Sequence, residues 1–177
     1  HLITQTKSEV AHYLLPPEEL SQEITRFDNA LSSVRGELEE LRVQLPANAP
    51  SELDAFLNLH LMILQDSTLA VKPREVIEAE CCNAEWALKV QMDALLVQFA
   101  HIEDDYLRER KTDIEHVVER VLKALLGQPG YVPAPSENLE QGLILVAHDL
   151  SPADVIQLKR HRFASFITEV GGITSHT

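Results

Sequence analysis

The sequence contains few aromatic residues and cysteines, and it has no long apolar run. Aromatic residues make up 5% of the 177 positions, so Leu, Val, Ile and Ala must supply most of the buried surface, which favours helices. Cys81 and Cys82 are adjacent, a spacing that rarely bridges and that forms no Cys-x-x-Cys pair, so no disulfide framework or zinc site is expected. No stretch approaches the roughly 18 apolar residues of a membrane helix, and no signal peptide opens the chain. We therefore expect a cytoplasmic protein that does not bind membranes.

Basic residues are also scarce relative to acidic ones. The chain has 15 Lys and Arg against 28 Asp and Glu, which gives a formal net charge of −13. A surface of this sign repels nucleic-acid phosphates, so binding to DNA or RNA is not expected. It suits a basic protein partner, although acidity that only maintains solubility accounts for the charge equally well. Hydrophobic residues make up 45% of the chain, which is enough for a packed core.

Apolar residues at alternating spacings of four and three predict a long helix that opens near Pro17. They are Leu20, Ile24, Phe27, Leu31, Val34, Leu38, Leu41 and Leu45. Such a heptad stripe is typical of a helix packed along one side, and Pro46 and Pro50 end it. A second stripe begins at Leu88 and reaches Tyr106. Two helices of this kind are expected to pack antiparallel.

Shorter helices are predicted between and after the two stripes. A helix with Ser51 as its N-cap runs to about Gln65, and a third, interrupted by a proline, covers about 67–79. Apolar residues from Ile114 onwards predict a helix that ends at Gly127. Together these segments predict a helical bundle.

A different pattern follows a proline-containing linker at about 128–135. The run LILVA at 143–147 is typical of a strand buried on both faces. Ser151, followed by a proline, begins a helix, and residues 163–167 resemble another strand. The opening residues 1–6 resemble an edge strand.

These elements predict a mainly helical α+β protein. Its antiparallel helical bundle, residues 17–127, is inserted into a small α/β domain formed by residues 1–16 and 128–177.

The helix predicted from Ser51 is apolar on more than one side. Leu59, Met62 and Ile63 lie away from its expected core face. A helix of this kind is either wholly buried or offers a binding face, and the residues alone favour burial. We predict no metal site, because the remaining histidines have no convincing ligand spacing: His1, His12, His60, His101, His116, His148 and His161.

The chain closes with GGITSHT, which combines the groups that a phosphoryl carrier needs. Gly171 and Gly172 let the backbone approach an anion, and the hydroxyls of Thr174 and Ser175 can donate hydrogen bonds to phosphoryl oxygens. His176 adds a ring nitrogen that is nucleophilic near neutral pH. A glycine-rich loop with an incidental histidine is the alternative, and the residues alone leave it open.

The string GGITSHT resembles the phosphohistidine signature GGxTSH of the phosphoenolpyruvate-utilising family. The neighbouring segments LILVAHDLSPADVIQL and FITEVGGITSHT strengthen this resemblance. Upstream, FLNLHLMILQD and DDYLRERKTDIEHVVERVLKALLG resemble helical segments of Enzyme I of the bacterial phosphoenolpyruvate phosphotransferase system. Dikinases share the signature but lack such long helices ahead of it. The resemblance covers essentially the whole chain and points to the amino-terminal part of Enzyme I.

The resemblance implies a phosphotransferase that serves sugar uptake. It implies that the α/β domain carries the phosphohistidine at His176, and that the helical bundle docks the carrier protein HPr, which receives the phosphoryl group. The implied HPr-facing positions are His60, Met62, Ile63, Asp66, Leu107 and Arg110. Phosphoenolpyruvate and Mg²⁺ are implied to bind a separate carboxy-terminal barrel that also makes the full-length enzyme a homodimer. We therefore expect no cofactor or metal in this chain, and a monomer.

Two features depart from the family pattern. The family opens with a glycine-containing SPG-type segment that is absent here, and it continues with a helix and strands where this chain stops at Thr177. We therefore expect an incomplete phosphohistidine domain and a chain that, on its own, does not react with phosphoenolpyruvate. Two other interpretations stay open: a nitrogen-branch Enzyme I that serves an HPr-like carrier, and a non-enzymatic helical interaction module.

Overall fold

The structure is a computed structural model that describes residues 2–5, 10–99, 105–127, 143–147, 150–158 and 163–169. It combines helices with one parallel sheet. The elements, in chain order, are β1 (Leu2–Gln5), α1 (Leu20–Val43), α2 (Ser51–Gln65), α3 (Ser67–Ala70), α4 (Lys72–Glu80), α5 (Ala84–Phe99), α6 (Asp105–Leu125), β2 (Leu143–Ala147), α7 (Pro152–Leu158) and β3 (Phe163–Thr168). The predicted fold class, mainly helical α+β, is confirmed.

Helix α1 carries the predicted heptad stripe into the core. Phe27, Val34 and Leu38 are fully buried, and burying one such side chain stabilises the fold by about 1.5–3 kcal/mol. The helix contacts α6 in antiparallel fashion, because Arg26 near its start donates to the carbonyl of Leu125 at the end of α6. The prediction of this helix is confirmed, and it ends at Val43, a few residues before the prolines.

Helix α2 buries the face formed by Leu57, Leu61 and Leu64. The prediction that Ser51 caps it is wrong. Pro50 is the capping residue, with an extended backbone at φ −54° and ψ 137°, and Ser51 is already the first residue of the helix. Its hydroxyl contacts Glu52 instead.

The second stripe is divided between two helices. Leu88 and Met92 are buried on α5, whereas Tyr106 lies near the start of α6. Helix α6 ends as predicted, since Gly127 follows it with a left-handed φ of 74°. The two cysteines follow α4 and do not lie on a helix. Cys81 has a left-handed φ of 50°, and the backbone of Cys82 forms an isolated antiparallel β-bridge with that of Leu14.

The described sheet is parallel, with the strand order β1-β2-β3. Helices α1 to α6 lie in sequence between β1 and β2, so the bundle interrupts one sheet. Leu145 and Ala147 of β2 are buried, but Ile144 is 44% exposed. The prediction that β2 is buried on both faces is therefore wrong, because α7 packs against one face of the strand, through Val155 and Leu158.

Helix α7 belongs to two cores at once. Leu158 packs with the sheet residues, while Ala153 is fully buried in the core of the helical bundle. Because α7 contributes to both, the structure sets no sharp line between the parts, and the domain boundaries at 16 and 128 stay a prediction.

Candidate functional site

The residues of the predicted phosphoryl site lie outside the part of the chain that the structure describes. They are Gly171, Gly172, Thr174, Ser175 and His176. The described strand that leads to them is β3, which pairs with β2 so that Thr168 lies beside Ala147. The pairing continues one residue further, because the amide of Glu169 donates to the carbonyl of Ala147 over 3.2 Å. The predicted site therefore follows β3 in the sequence, and the carboxyl ends of parallel strands are where α/β folds commonly bind ligands.

Arg120 joins this part of the chain to the bundle. It is 7% exposed, and it donates through Nη2 to Asp154 Oδ1 over 2.6 Å and through Nη1 to Glu37. Asp154 belongs to α7, and its backbone amide donates to the hydroxyl oxygen of Ser151 over 3.2 Å, so Ser151 caps this helix. The Ser151 hydroxyl in turn donates to the Asp154 carboxylate over 2.7 Å. The cluster links α1, α6 and α7, and sequence analysis missed it because its members are far apart in the chain.

A second ionic cluster anchors the segment that leads into α1. Arg26 donates to Glu23 over 2.6 Å and to Glu85 over 2.7 Å, and the Asn83 amide donates to Glu85 over 2.9 Å. The backbone amide of Tyr13 donates to the Asn83 side chain. Burial works to raise the pKa of Glu85, but the hydrogen bonds from Arg26 and Asn83 outweigh it and hold that pKa below its ordinary value.

The predicted partner-facing residues of α2 have different environments. Met62 is 70% exposed, whereas Ile63 is partly buried and packs against the core. Asp66 follows the helix and caps α3, because its carboxylate accepts a 2.8 Å hydrogen bond from the amide of Thr68. The hydrogen bonds from Thr68 lower the pKa of Asp66. Met62 is therefore the residue of this set that offers an apolar side chain to solvent.

Helix α6 supplies the other two predicted partner-facing residues. Leu107 lies in its first turns, and Arg110 is half-buried one turn further on. Helices α2 and α6 contact each other, so the residues predicted from two distant segments lie on neighbouring helices.

His60 does not lie on this surface, and its predicted role as a partner contact is corrected. Its side chain is fully buried, with the ring centroid 4.0 Å from that of Phe56. Helical periodicity gives the reason: His60 shares the inward face of α2 with Leu57, Leu61 and Leu64. Burial lowers the pKa of His60, and its hydrogen bond to Asp113 offsets this only in part.

His60 instead belongs to a cluster that sequence analysis did not predict. Its Nε2 lies 3.3 Å from Asp113 Oδ1, and its ring centroid is 6.3 Å from that of His116. One donor atom from each of the three residues lies within 4.8 Å of the others. The fold therefore brings together three possible ligands that are not grouped in the sequence, and the expectation of no metal site stays a prediction. The available signal was the Asp-x-x-His spacing, which places Asp113 and His116 on one face of α6.

No described helix is both long enough and apolar enough to cross a membrane.

Comparison with known protein families gives two matches. Residues 1–110 match the N-terminal domain of PEP-utilising enzymes, and residues 139–177 match the mobile domain of PEP-utilising enzymes.

Curated relatives match along most of the chain. A phosphoenolpyruvate-protein phosphotransferase from Cupriavidus necator is 48% identical over 183 aligned residues, covering 100% of this chain and 31% of that protein. One from Bacillus subtilis is 35% identical over 155 aligned residues, covering 88% of this chain and 27% of that protein. The chain thus spans less than a third of the length of these relatives.

Solved structures show the same fold. A solution structure of Enzyme I superposes with a TM-score of 0.73 at 25% identity, over 97% of this chain and 68% of that chain. The N-terminal domain of a nitrogen Enzyme I superposes with a TM-score of 0.71 at 23% identity, over 99% of this chain and 71% of that chain. The chain therefore belongs to the PEP-utilising enzyme family, as an amino-terminal segment of the phosphoenolpyruvate-protein phosphotransferase, or Enzyme I, group.

Proposed function

We propose that the whole protein is a phosphoenolpyruvate-protein phosphotransferase in which His176 accepts a phosphoryl group and passes it to HPr. The observation that carries this proposal is the GGITSHT string at the end of a segment, 139–177, that matches the mobile domain of PEP-utilising enzymes. A helical bundle inserted ahead of that segment supports the Enzyme I type, because two Enzyme I structures share the arrangement over nearly the whole chain. Phosphoenolpyruvate is a cytoplasmic metabolite, and we propose that compartment.

The chemistry of the proposed site follows from its residues. A neutral ring nitrogen of His176 attacks phosphorus, so an N–P bond forms while the P–O bond to the enol oxygen of phosphoenolpyruvate breaks. The enolate takes up a proton and leaves as pyruvate. The amides of Gly171 and Gly172 and the hydroxyls of Thr174 and Ser175 donate hydrogen bonds to the phosphoryl oxygens. The HPr imidazole then attacks the same phosphorus, and the N–P bond to His176 breaks.

We assign no Mg²⁺ site to this chain. Within the part that the structure describes, the cluster of His60, Asp113 and His116 offers two nitrogen donors, whereas Mg²⁺ prefers oxygen ligands in octahedral geometry. In our proposal Mg²⁺ binds together with phosphoenolpyruvate in the rest of the whole protein, which also forms the homodimer. There the ion neutralises phosphoryl charge.

We propose that HPr docks on the surface formed by α2 and α6. Met62 supplies an exposed apolar side chain, and Ile63, Asp66, Leu107 and Arg110 lie on the same two helices or directly after α2. Methionine suits such a contact because its flexible side chain adapts to the opposing surface. The net charge of −13 speeds the encounter with a basic carrier.

Met62→Ala is expected to weaken HPr binding by about 1–3 kcal/mol, a rise of roughly 5- to 150-fold in Kd. The loss follows from the removal of an apolar side chain that the complex buries. Titration of HPr into the variant, followed by isothermal calorimetry, measures it. The Kd of HPr for the Arg110→Ala variant is measured in the same way.

Val43→Ala is the matched control for docking. Val43 is an apolar residue that is 86% exposed at the end of α1, so its truncation alters the surface without touching α2 or α6. Its Kd should equal that of the wild type. Unchanged affinity in both Met62→Ala and Arg110→Ala would remove the docking proposal while leaving the role of His176 intact.

The function as a whole is tested by label transfer. The whole protein is mixed with phosphoenolpyruvate labelled at phosphorus, Mg²⁺ and catalytic amounts of HPr, and the recovered protein is analysed. Phosphohistidine is labile in acid and stable in base, so label with this behaviour is expected on the protein. A non-enzymatic helical module would carry none. Repeating the transfer with the HPr-like carrier of the nitrogen branch shows which carrier accepts the group faster.

A further inference from the structure

The buried cluster at the contact of α2 and α6 has the composition of a metal site. His60 comes from α2, and Asp113 and His116 come from successive turns of α6. Side chains that face each other across a helical bundle, including pairs spaced i and i+3, commonly build metal sites in bundle cores. Histidine nitrogen and carboxylate oxygen are the donors that zinc accepts.

The distance between His60 and Asp113 suits a shared metal ion. Nε2 and Oδ1 lie 3.3 Å apart, a distance that is long for a hydrogen bond between them and that also fits two ligands of one metal ion. Bonds to zinc of roughly 2.0–2.2 Å in tetrahedral geometry place two ligand atoms about 3.3–3.5 Å apart. The third donor, from His116, lies within 4.8 Å of the other two, so its side chain has to move closer for all three to bind one ion.

His60 also carries a polar atom that the described residues leave unsatisfied. Its ring is fully buried, and Nδ1 has no hydrogen-bond partner among the described residues. A buried polar atom without a partner costs stability, so the fold retains this imidazole in the core at a cost that a purely apolar residue would avoid. A buried polar ring of this kind fits a ligand role for Nε2, whereas Nδ1 would then carry the proton and needs an acceptor such as water.

The surroundings tolerate a cation. Asp113 brings one negative charge and its side chain is 16% exposed, which leaves a route by which an ion and a fourth ligand, water, can enter. Arg120 is the nearby positive charge that acts on His60, but it is paired with Glu37 and Asp154. Its repulsion of a bound cation is therefore reduced.

We propose that His60, Asp113 and His116 bind a zinc ion, or another late first-row divalent metal, with three protein ligands and one water. The ion joins α2 to α6 beneath the surface that carries Met62 and Arg110, and it thereby stabilises the bundle. Nitrogen donors select such metals over Mg²⁺ and Ca²⁺.

The test is a metal titration of the whole protein after treatment with a chelator. Zn²⁺ at a hundredfold excess over its Kd is expected to raise Tm by about 5–10 °C, whereas Mg²⁺ should leave it unchanged. Co²⁺ should give the intense visible absorption of a tetrahedral site. Equal shifts with Zn²⁺ and Mg²⁺, or no shift with either, would overturn the proposal.

Two ligand variants and two controls locate the ion. His116→Gln and Asp113→Asn should each weaken Zn²⁺ binding at least about tenfold and abolish the Co²⁺ absorption, and either one suffices should the other fail to fold without metal. His12→Gln alters an exposed histidine that stacks on Trp86, and Cys81→Ser removes a partly exposed thiol. Both should retain the shift and the absorption. Binding that both ligand variants retain, or that either control loses, would assign the metal elsewhere and sink the proposal.

Discussion

Replacing His176 by alanine in the whole protein should abolish the transfer of phosphoryl from phosphoenolpyruvate to HPr. Alanine has no nucleophilic atom, and in our proposal the glycine amides and the hydroxyls of Thr174 and Ser175 bind the phosphoryl oxygens and do not act as the nucleophile. Loss of a residue that forms the covalent intermediate typically costs on the order of 10⁴-fold or more in rate. The rate at which labelled phosphoryl reaches HPr, measured by rapid quench, gives the effect.

His161→Ala is the control for that experiment. His161 follows α7 in sequence, and no role is assigned to it. The control should carry label at the wild-type rate, and both variants should bind HPr with wild-type affinity, because the proposed docking surface lies on α2 and α6. Full-speed relay in His176→Ala would contradict the role of this imidazole even if the docking surface proved correct.

The sequence was most informative where a pattern is local. The alternating spacing of apolar residues along α1 predicted a buried stripe, and Phe27, Val34 and Leu38 are fully buried. Ser151 and the proline after it predicted the start of α7, which begins at Pro152. Such signals depend on neighbours within a turn or two of helix, so they can be read without a tertiary fold.

The wrong predictions have different origins. The His60 side chain is buried against Asp113, which lies 53 positions further along the chain, and no local pattern indicates that contact. Capping by Ser51 failed for a more local reason, because Pro50 already adopts the extended backbone of a cap. The closing GGITSHT string lies outside the described residues, so its geometry stays a prediction.

The cluster around Arg120 connects the helical bundle to the α/β part of the chain. It holds α7 on α1 and α6, and β3, the strand that precedes Gly171 and Gly172 in the sequence, follows α7 as the next element. A guanidinium fits this position because it can serve Glu37 and Asp154 with separate nitrogens. The position of α7 relative to the bundle therefore depends on a buried ionic contact as well as on apolar packing.

Arg120→Met should destabilise the fold by about 3–5 kcal/mol, because the change leaves two partly buried carboxylates without their buried cation. Methionine retains much of the apolar packing of the arginine stem, so the loss reports charge more than volume. The expected fall in Tm is roughly 6–20 °C. Urea unfolding followed by circular dichroism measures the free energy.

The pKa of Asp154 determines how the stabilisation by the Arg120 cluster changes with pH. Burial works to raise the pKa of Asp154, but Arg120 and the hydrogen bonds from Ser151 outweigh it and hold that pKa below its ordinary value of 3.8. A group whose pKa is lower in the folded state stabilises the fold at pH values above its ordinary pKa, and this contribution is lost as the pH falls through the folded-state pKa. The difference in unfolding free energy between wild type and Arg120→Met should therefore be largest near neutral pH and shrink under acid.

Arg42→Met is the matched control, since Arg42 also pairs with a carboxylate, that of Asp54, but both side chains are about half exposed. An exposed pair of this kind contributes about 0–1 kcal/mol, so the control should unfold near the wild-type midpoint at every pH. If Arg120→Met cost no more than Arg42→Met, the buried cluster would not hold α7 to the bundle. Apolar contacts such as that of Ala153 in the bundle core would then have to fix the position of the α/β part.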